Sequence, residues 1–311
     1  MHSYARVVGV GCVVVLCIVA LLFCLNCNKR CKSVPSTDVA LSPGNSSHTL
    51  ETISQLEKRT GRKYACVIPP PTRSEIDDIN IYLVRHPQTI PKRIHQIWIG
   101  HHKVPWKWIN SFREKFRAAY PGWEHMLWRE KDIKGLHLKN RKLYEGERTY
   151  CGKADILRYE ILYQYGGIYI DADSEWLGTR DLGELIDSTN ATGIFIGREC
   201  IKCKESLANS VIGCSTQNPI MGYTVQRMFQ HYTSRDMCAR RAAFKKTGPY
   251  FTDQMFRFFP ITVFPYYYFY PVYWGGPPTA AKKYDLATLQ RKYPNSYMAQ
   301  YGFTTNNLKS T

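Results

Sequence analysis

The chain has 311 residues, with 42 Lys and Arg against 25 Asp and Glu, which gives a formal charge of +17. A composition of 44% apolar and 22% charged residues is that of a globular protein and excludes a wholly disordered or collagen-like chain. The positive balance favours anionic partners such as nucleotides, phospholipid headgroups or nucleic acid, without choosing among them.

Following a short tail (residues 1–6), no charged residue occurs from Val7 to Asn28. A helix over that stretch would be about 33 Å long, enough to cross a hydrocarbon core of roughly 30 Å. It is followed by Asn26-Cys27-Asn28-Lys29-Arg30 rather than by a small-residue cleavage site, so residues 7–28 read as an uncleaved membrane anchor. The two available rules disagree on its orientation. Lys29, Arg30 and Lys32 behind the span, against Arg6 in front, would keep the following domain in the cytosol. The sequons at Asn45 and Asn190, and an even set of cysteines beyond residue 60 (Cys66, Cys151, Cys200, Cys203, Cys214 and Cys238), suit an oxidising lumen and a type II protein of the Golgi or endoplasmic reticulum. Residues 29–88, rich in Ser, Thr and Pro towards their start and holding Pro69-Pro70-Pro71, read as a stem, with a short element over Glu75 to Val84. The compact domain is placed at 89–311.

Within it, Ile94 to Ile99 alternates bulky and polar residues and stops at Gly100, the pattern of a strand. Apolar residues at Trp108, Ile109, Phe112, Phe116 and Ala119 predict a helix over Trp106–Tyr120, ended by Pro121-Gly122. Trp123 to Trp128 reads as a second strand. Gly152 to Tyr165 predicts a helix with Ala154, Leu157, Ile161, Leu162 and Tyr165 on one face, terminated by Gly166-Gly167. The buried-type strand Ile168-Tyr169-Ile170 runs directly into Asp171-Ala172-Asp173. Alternating strands and helices imply an α/β fold with a mainly parallel central sheet, whose ligands bind beyond the carboxyl ends of the strands.

Asp171 and Asp173 would lie on the same side of an extended strand. Two carboxylates that close repel unless a cation or a proton lies between them, and their hard oxygens suit Mg²⁺ or Mn²⁺ shared with phosphate. One helix upstream, Asp155 and Arg158 are three residues apart and share a face. On its own an Asp-x-Asp triplet is a weak signal, and Asp155–Arg158 read alone is a surface ion pair. Their order along one helix–glycine–strand unit is what makes the arrangement specific.

That block, Ala154-Asp155-Ile156-Leu157-Arg158-Tyr159 through Gly166-Gly167 to Asp171-Ala172-Asp173, resembles glycosyltransferase family 32, whose sugar-binding region contains a DXD motif. Ile90 to Trp98, Asn209 with Asn218-Pro219, Thr247-Gly248-Pro249 and Phe269-Tyr270-Pro271 extend the resemblance over about residues 90–300. It implies a GT-A type fold and transfer of a hexose, with retention, from a nucleotide sugar such as GDP-mannose or a UDP-hexose to a glycan or glycolipid. By the same resemblance Trp98 would lie against the base, and Asp155 and Arg158 would hold the donor sugar and its diphosphate side. Asp171 would contact ribose or sugar, and Asp173 would ligate the metal, Mn²⁺ or Mg²⁺. The chain departs from the pattern near its C-terminus, where many members carry a metal-binding His. Here Gln300 or Asn306 offers an amide oxygen instead, which keeps open a catalytically inactive relative that binds glycans or lipid headgroups.

Three further stretches stand apart. Cys200-Ile201-Lys202-Cys203 lacks the second close pair of a structural zinc site, so disulfides or free thiols are expected. The aromatic run Phe264 to Trp274 suits core packing or acceptor contact. The basic stretch Lys131 to Lys153 lacks any nucleic-acid module, and no nucleic-acid partner is expected.

Overall fold

The computed structural model describes residues 69–199, 206–233, 243–272 and 285–302. The expected anchor at 7–28, Asn45, Cys66, Cys200, Cys203, Cys238 and Asn306 lie outside these. No helix among the described residues is long and apolar enough to cross a membrane.

Helix α1 (Arg73–Arg85) opens with a capping box in which Thr72 and Glu75 satisfy each other's backbone donors. The domain boundary read from sequence at residue 89 leaves this helix in the stem, yet Leu83 is buried in the main core. The central sheet is built from β1 (Arg93–Ile97), β2 (Glu124–Trp128), β3 (Gly167–Ile170), β5 (Ile194–Arg198), β6 (Leu207–Cys214) and β7 (Thr262–Phe264), in the order β2-β1-β3-β6-β5-β7. β1 runs parallel to β2 and β3, and β5 parallel to β7, whereas β6 is antiparallel to both its neighbours. The sheet is therefore mainly parallel with one reversed central strand, and the fold is α/β. A separate two-stranded sheet pairs β4 (Ser174–Trp176) with β8 (Met298–Gln300) in antiparallel register, Ser174 opposite Gln300.

Period-two alternation sends residues of each strand to two cores. Ile94, Ile168, Ile170, Phe195 and Val211 join Phe112 and Phe116 on one side. Ile97, Tyr169, Ile196 and Ile212 meet helices α2 (Tyr150–Tyr165), α3 (Pro219–Thr233) and α4 (Pro249–Phe256) on the other, through Leu157, Ile161, Met221 and Phe251. Two sequence expectations change here. The helix over 106–120 is not uniform: Trp106–Asn110 passes into a π-helical turn over Ser111–Phe116 before a last turn at Arg117–Ala119. The widened turn lets the Ser111 hydroxyl donate to the Trp108 carbonyl (2.6 Å) and accept from the Trp176 N–H (2.9 Å), which ties this helix to β4. Helix α2, in turn, has no single apolar stripe. Every residue from Asp155 to Leu162 is buried, so it is a central helix wrapped by its neighbours, and its polar residues face inward.

Candidate active site

Helix α2 is fixed at both ends. Thr149 caps it by accepting from the Gly152 N–H (3.2 Å), and Glu147 in turn accepts from the Thr149 N–H and hydroxyl (2.9 and 2.8 Å) while pairing with the buried Lys246. At the far end Gly166 (φ +60°) and Gly167 (φ +99°) turn the chain into β3. A Cβ on Gly167 would sit 2.5 Å from the Arg93 carbonyl oxygen, so only glycine allows this approach. Below the turn, buried His95 donates from Nε2 to the Gly166 carbonyl (2.7 Å) and accepts at Nδ1 from the Trp128 indole (3.1 Å), a pattern only the neutral ring satisfies. Burial pushes its pKa down to about 4.

Asp155 and Arg158 point into the core one turn apart and pair at 3.0 Å, and the same guanidinium reaches Asp171 at 3.3 Å. Arg158 also donates to the Asn209 carbonyl and lies over the Tyr169 ring, 4.5 Å from its centre. Burial opposes the charge of Arg158, but Tyr169, Asp171 and Asp155 hold it protonated. Asp155 further accepts from the Asn209 amide (3.0 Å) and the Thr247 hydroxyl (3.1 Å). Its pKa is pushed up to about 6, chiefly by burial; Arg158 works against the rise and the Asp171 charge adds to it. The surface-pair alternative for Asp155 and Arg158 is thereby corrected: both are buried, and each is bound into the floor of a cleft.

Strand β3 ends at Ile170, and Asp171 to Asp173 form a turn closed by the Ser174 N–H donating to the Asp171 carbonyl (3.0 Å). The expectation that the two carboxylates share a side because the strand is extended is thus replaced by a turn that brings both to one cleft. Tyr169 donates to Asp171 Oδ1 (2.7 Å), so that oxygen is shared between Tyr169 and Arg158. A quarter of the Asp171 side chain stays exposed to the cleft. Its pKa is raised by burial, against the pull of Arg158 and Tyr169. Asp173 is held from the other side: Gln300 Nε2 lies 3.4 Å from Oδ1, and the Tyr301 N–H donates to its carbonyl (3.1 Å). Tyr301 also donates to buried Glu175 (2.7 Å) and stacks on Trp108, which fixes β8 against the turn.

The cleft has a volume of about 440 Å³ and opens beyond the carboxyl ends of β1, β3 and β5. Trp98, just past β1, forms one side, with its indole N–H donating to the His102 carbonyl (3.1 Å). Asp155, Arg158, Tyr169 and Asp171 to Asp173 line it, and Glu199, Ala208 to Ser210, Tyr270 and Gln300 continue the lining. All five residues singled out from sequence (Trp98, Asp155, Arg158, Asp171 and Asp173) meet here. Tyr169 and Glu199 were not singled out, and Tyr270 stood out only as part of the aromatic run. Tyr169 reads as one more apolar strand residue, and only its place two residues before Asp171 signals that it faces the Asp171 side chain. In the aromatic run, Phe264, Phe269 and Tyr270 are all core residues, and Tyr270 also borders the cleft.

The donor set fits a hard divalent cation. An exposed Asp171 oxygen, Asp173 and the Gln300 amide supply oxygen ligands, and diphosphate and water would complete the shell. Among the described residues no group of three or more His, Cys, Asp or Glu side chains is placed to hold a metal on its own. Cys151, exposed at the cleft, and buried Cys214 are free thiols.

Residues 105–191 match the family described as glycosyltransferase sugar-binding region containing DXD motif. Over these residues the chain resembles this family. The chain is 31% identical over 148 residues to an uncharacterised glycosyltransferase of Acanthamoeba polyphaga mimivirus, covering 45% of this chain and 56% of the viral one. It is 30% identical over 105 residues to inositol phosphoceramide mannosyltransferase 3 of Schizosaccharomyces pombe, covering 32% of this chain and 29% of that one. The matches therefore span about half the length of these relatives or less. Among solved structures, the PaToxG glycosyltransferase aligns with a TM-score of 0.42 at 20% identity, over 60% of this chain and 78% of that one. The block that matches the DXD family holds the floor of the cleft, whereas Trp98, Glu199, Tyr270 and Gln300 lie outside it.

Proposed function

We propose that the chain is a metal-dependent, retaining glycosyltransferase on a GT-A type fold, moving a hexose from a nucleotide sugar to a glycan or glycolipid. The observation that carries this reading is the Asp171–Asp173 turn in the cleft, with Trp98 to one side for a base and hard oxygens for a diphosphate-bound cation. The names of the yeast relatives support a mannosyl donor and a glycolipid acceptor.

In this reading the nucleoside stacks on Trp98, and the donor sugar lies above Asp155 and Asn209. Arg158 sets the positions of Asp155 and Asp171 and counters their charge, which keeps the oxygens facing the cleft fixed before substrate arrives. A bound Mn²⁺ or Mg²⁺ would supply Lewis-acid neutralisation of the diphosphate. As the bond from the anomeric carbon to the diphosphate oxygen breaks, the acceptor oxygen bonds to the same carbon from the same face, and the acceptor proton passes to the departing phosphate. Asp155 and Asp171 are both tied to Arg158, so neither is placed as a nucleophile. A trapped glycosyl-enzyme ester would overturn this sequence of events.

Residues 7–28 would anchor the protein in a secretory-pathway membrane, with the domain lumenal. The Asn190 amide is occupied by the Pro260 carbonyl (2.6 Å), so Asn45 is the expected glycan site. Endoglycosidase sensitivity of the full-length chain tests the orientation, and an unmodified chain speaks against it. The enzymatic reading is tested by incubating the full-length protein with GDP-mannose, UDP-galactose and UDP-glucose in the presence of Mn²⁺. Absence of both turnover and binding for every donor refutes it.

A further inference from the structure

The part of the cleft over β5 carries a carboxylate that none of the roles above uses. Glu199 directly follows β5, and its N–H donates to the Ser206 carbonyl (2.9 Å), so it stands at the carboxyl end of that strand beside the start of β6. Its side chain is partly buried and lines the cleft, yet among the described residues its carboxylate has no hydrogen bond or ion pair. Burial raises its pKa. The other carboxylates lining the cleft are engaged: Asp155 and Asp171 with Arg158, and Asp173 with Gln300. The buried carboxylates elsewhere, Glu147, Glu160 and Glu175, are held by Lys246, Asn140 and Tyr301.

Its place in the sheet gives Glu199 a direction. The strands beneath the cleft run β1, β3, β6, β5. At about 4.8 Å per strand, β5 lies about 10 Å beyond β3 and about 14 Å beyond β1. A donor with its base at Trp98 and its diphosphate at Asp173 runs from β1 to β3. Continued along the same line, its sugar lies over Asn209 and Ser210 of β6, and the next group lies over β5. Tyr270 packs on this same strand, since a Cβ on Gly197 would come within 3.1 Å of its ring. Tyr270 is buried there and closes the floor, so the group that faces the cleft is the Glu199 carboxylate. Unpaired among the described residues, it suits a molecule with hydroxyl donors and disfavours an anionic group at that spot.

We propose that Glu199 binds the acceptor, its carboxylate accepting a hydrogen bond from a hydroxyl of an uncharged polyol. This rests on the transferase reading above. The test uses the full-length protein with the donor found active in the screen, and with methyl α-D-mannoside and myo-inositol as separate acceptor probes. Whichever probe is glycosylated distinguishes a sugar ring from an inositol ring as the source. Loss of one charge-assisted hydrogen bond in Glu199→Gln should raise the acceptor KM about tenfold. The dissociation constant for the nucleoside diphosphate with Mn²⁺, measured by calorimetry, should stay within about twofold, and Glu199→Asp should recover part of the acceptor KM. An acceptor KM unchanged in Glu199→Gln overturns the proposal, as does a parallel rise in KM and nucleotide dissociation constant. Wild-type protein that binds nucleotide but glycosylates neither probe overturns the polyol assignment alone, whereas failure to bind any nucleoside diphosphate removes the transferase reading itself.

Discussion

Acidification should loosen the support of the active-site turn through one side chain, His95. The ring is fully buried, donates to Gly166 and accepts from Trp128, so a second proton would have to face the Trp128 N–H. Its pKa is about 4 in the folded chain, against an ordinary value of 6.5. The unfolded chain therefore takes up a proton that the folded chain refuses, and stability falls as pH drops from 6.5 towards 4. At pH 5 the linkage amounts to about 2 kcal/mol, and below pH 4 to about 3 kcal/mol, from 1.36 kcal/mol per pH unit. His125, which bonds to Gln96 and also has a pKa lowered to about 4, titrates in the same direction. The assay is urea unfolding from pH 7.5 to 4.5 for wild type and His95→Gln, whose amide preserves one donor and one acceptor. The wild-type stability should fall more steeply by up to one proton per molecule. Equal slopes in the two proteins would show that His95 carries no share of the acid sensitivity and refute the reasoning.

Replacing Asp173 by Ala should abolish metal-dependent turnover while leaving the unfolding midpoint nearly unchanged, because this side chain lines the cleft rather than filling a core; undiminished turnover places the cation elsewhere. Asp155→Ala strips Arg158, Asn209 and Thr247 of a shared buried acceptor and should cost about 3 kcal/mol in urea unfolding, with little change counting against the buried network. Cys151 is an exposed thiol in the cleft wall, so iodoacetamide should modify it, and a nucleoside diphosphate with Mn²⁺ should slow that modification several-fold. Labelling at the same rate with and without nucleotide would argue that the nucleotide does not pass over the start of helix α2.

Much of this centre was legible because its signals are local. Gly166-Gly167 between a helix and a short apolar strand fixes the path into Asp171, and the three-residue spacing of Asp155 and Arg158 puts them on one face whatever packs around them. What escaped is non-local. Helix α2 shows an apolar stripe in sequence, but its polar residues are buried too, since their partners (Asn209, Thr247, Lys139 and Asn140) come from distant segments. The reversal of β6 is set by its pairing with β3 and β5, and no periodicity records strand direction. Extended geometry was carried one residue too far past Ile170, because the turn at Asp171–Asp173 is set by a backbone hydrogen bond and by the β8 segment more than a hundred residues later. Glu199 has no motif around it; only its height at the end of β5 marks it.

The pairing of β4 with β8 has a consequence for how the molecule is made. The segment that carries Gln300 and Tyr301 leaves the ribosome long after the acidic turn it clamps, so a nascent chain stopped at about residue 290 could complete the large sheet and still lack half the grip on Asp173. Competence would then arrive in a final docking event rather than with collapse of the main body, and disruption of that last strand should yield a folded but idle protein.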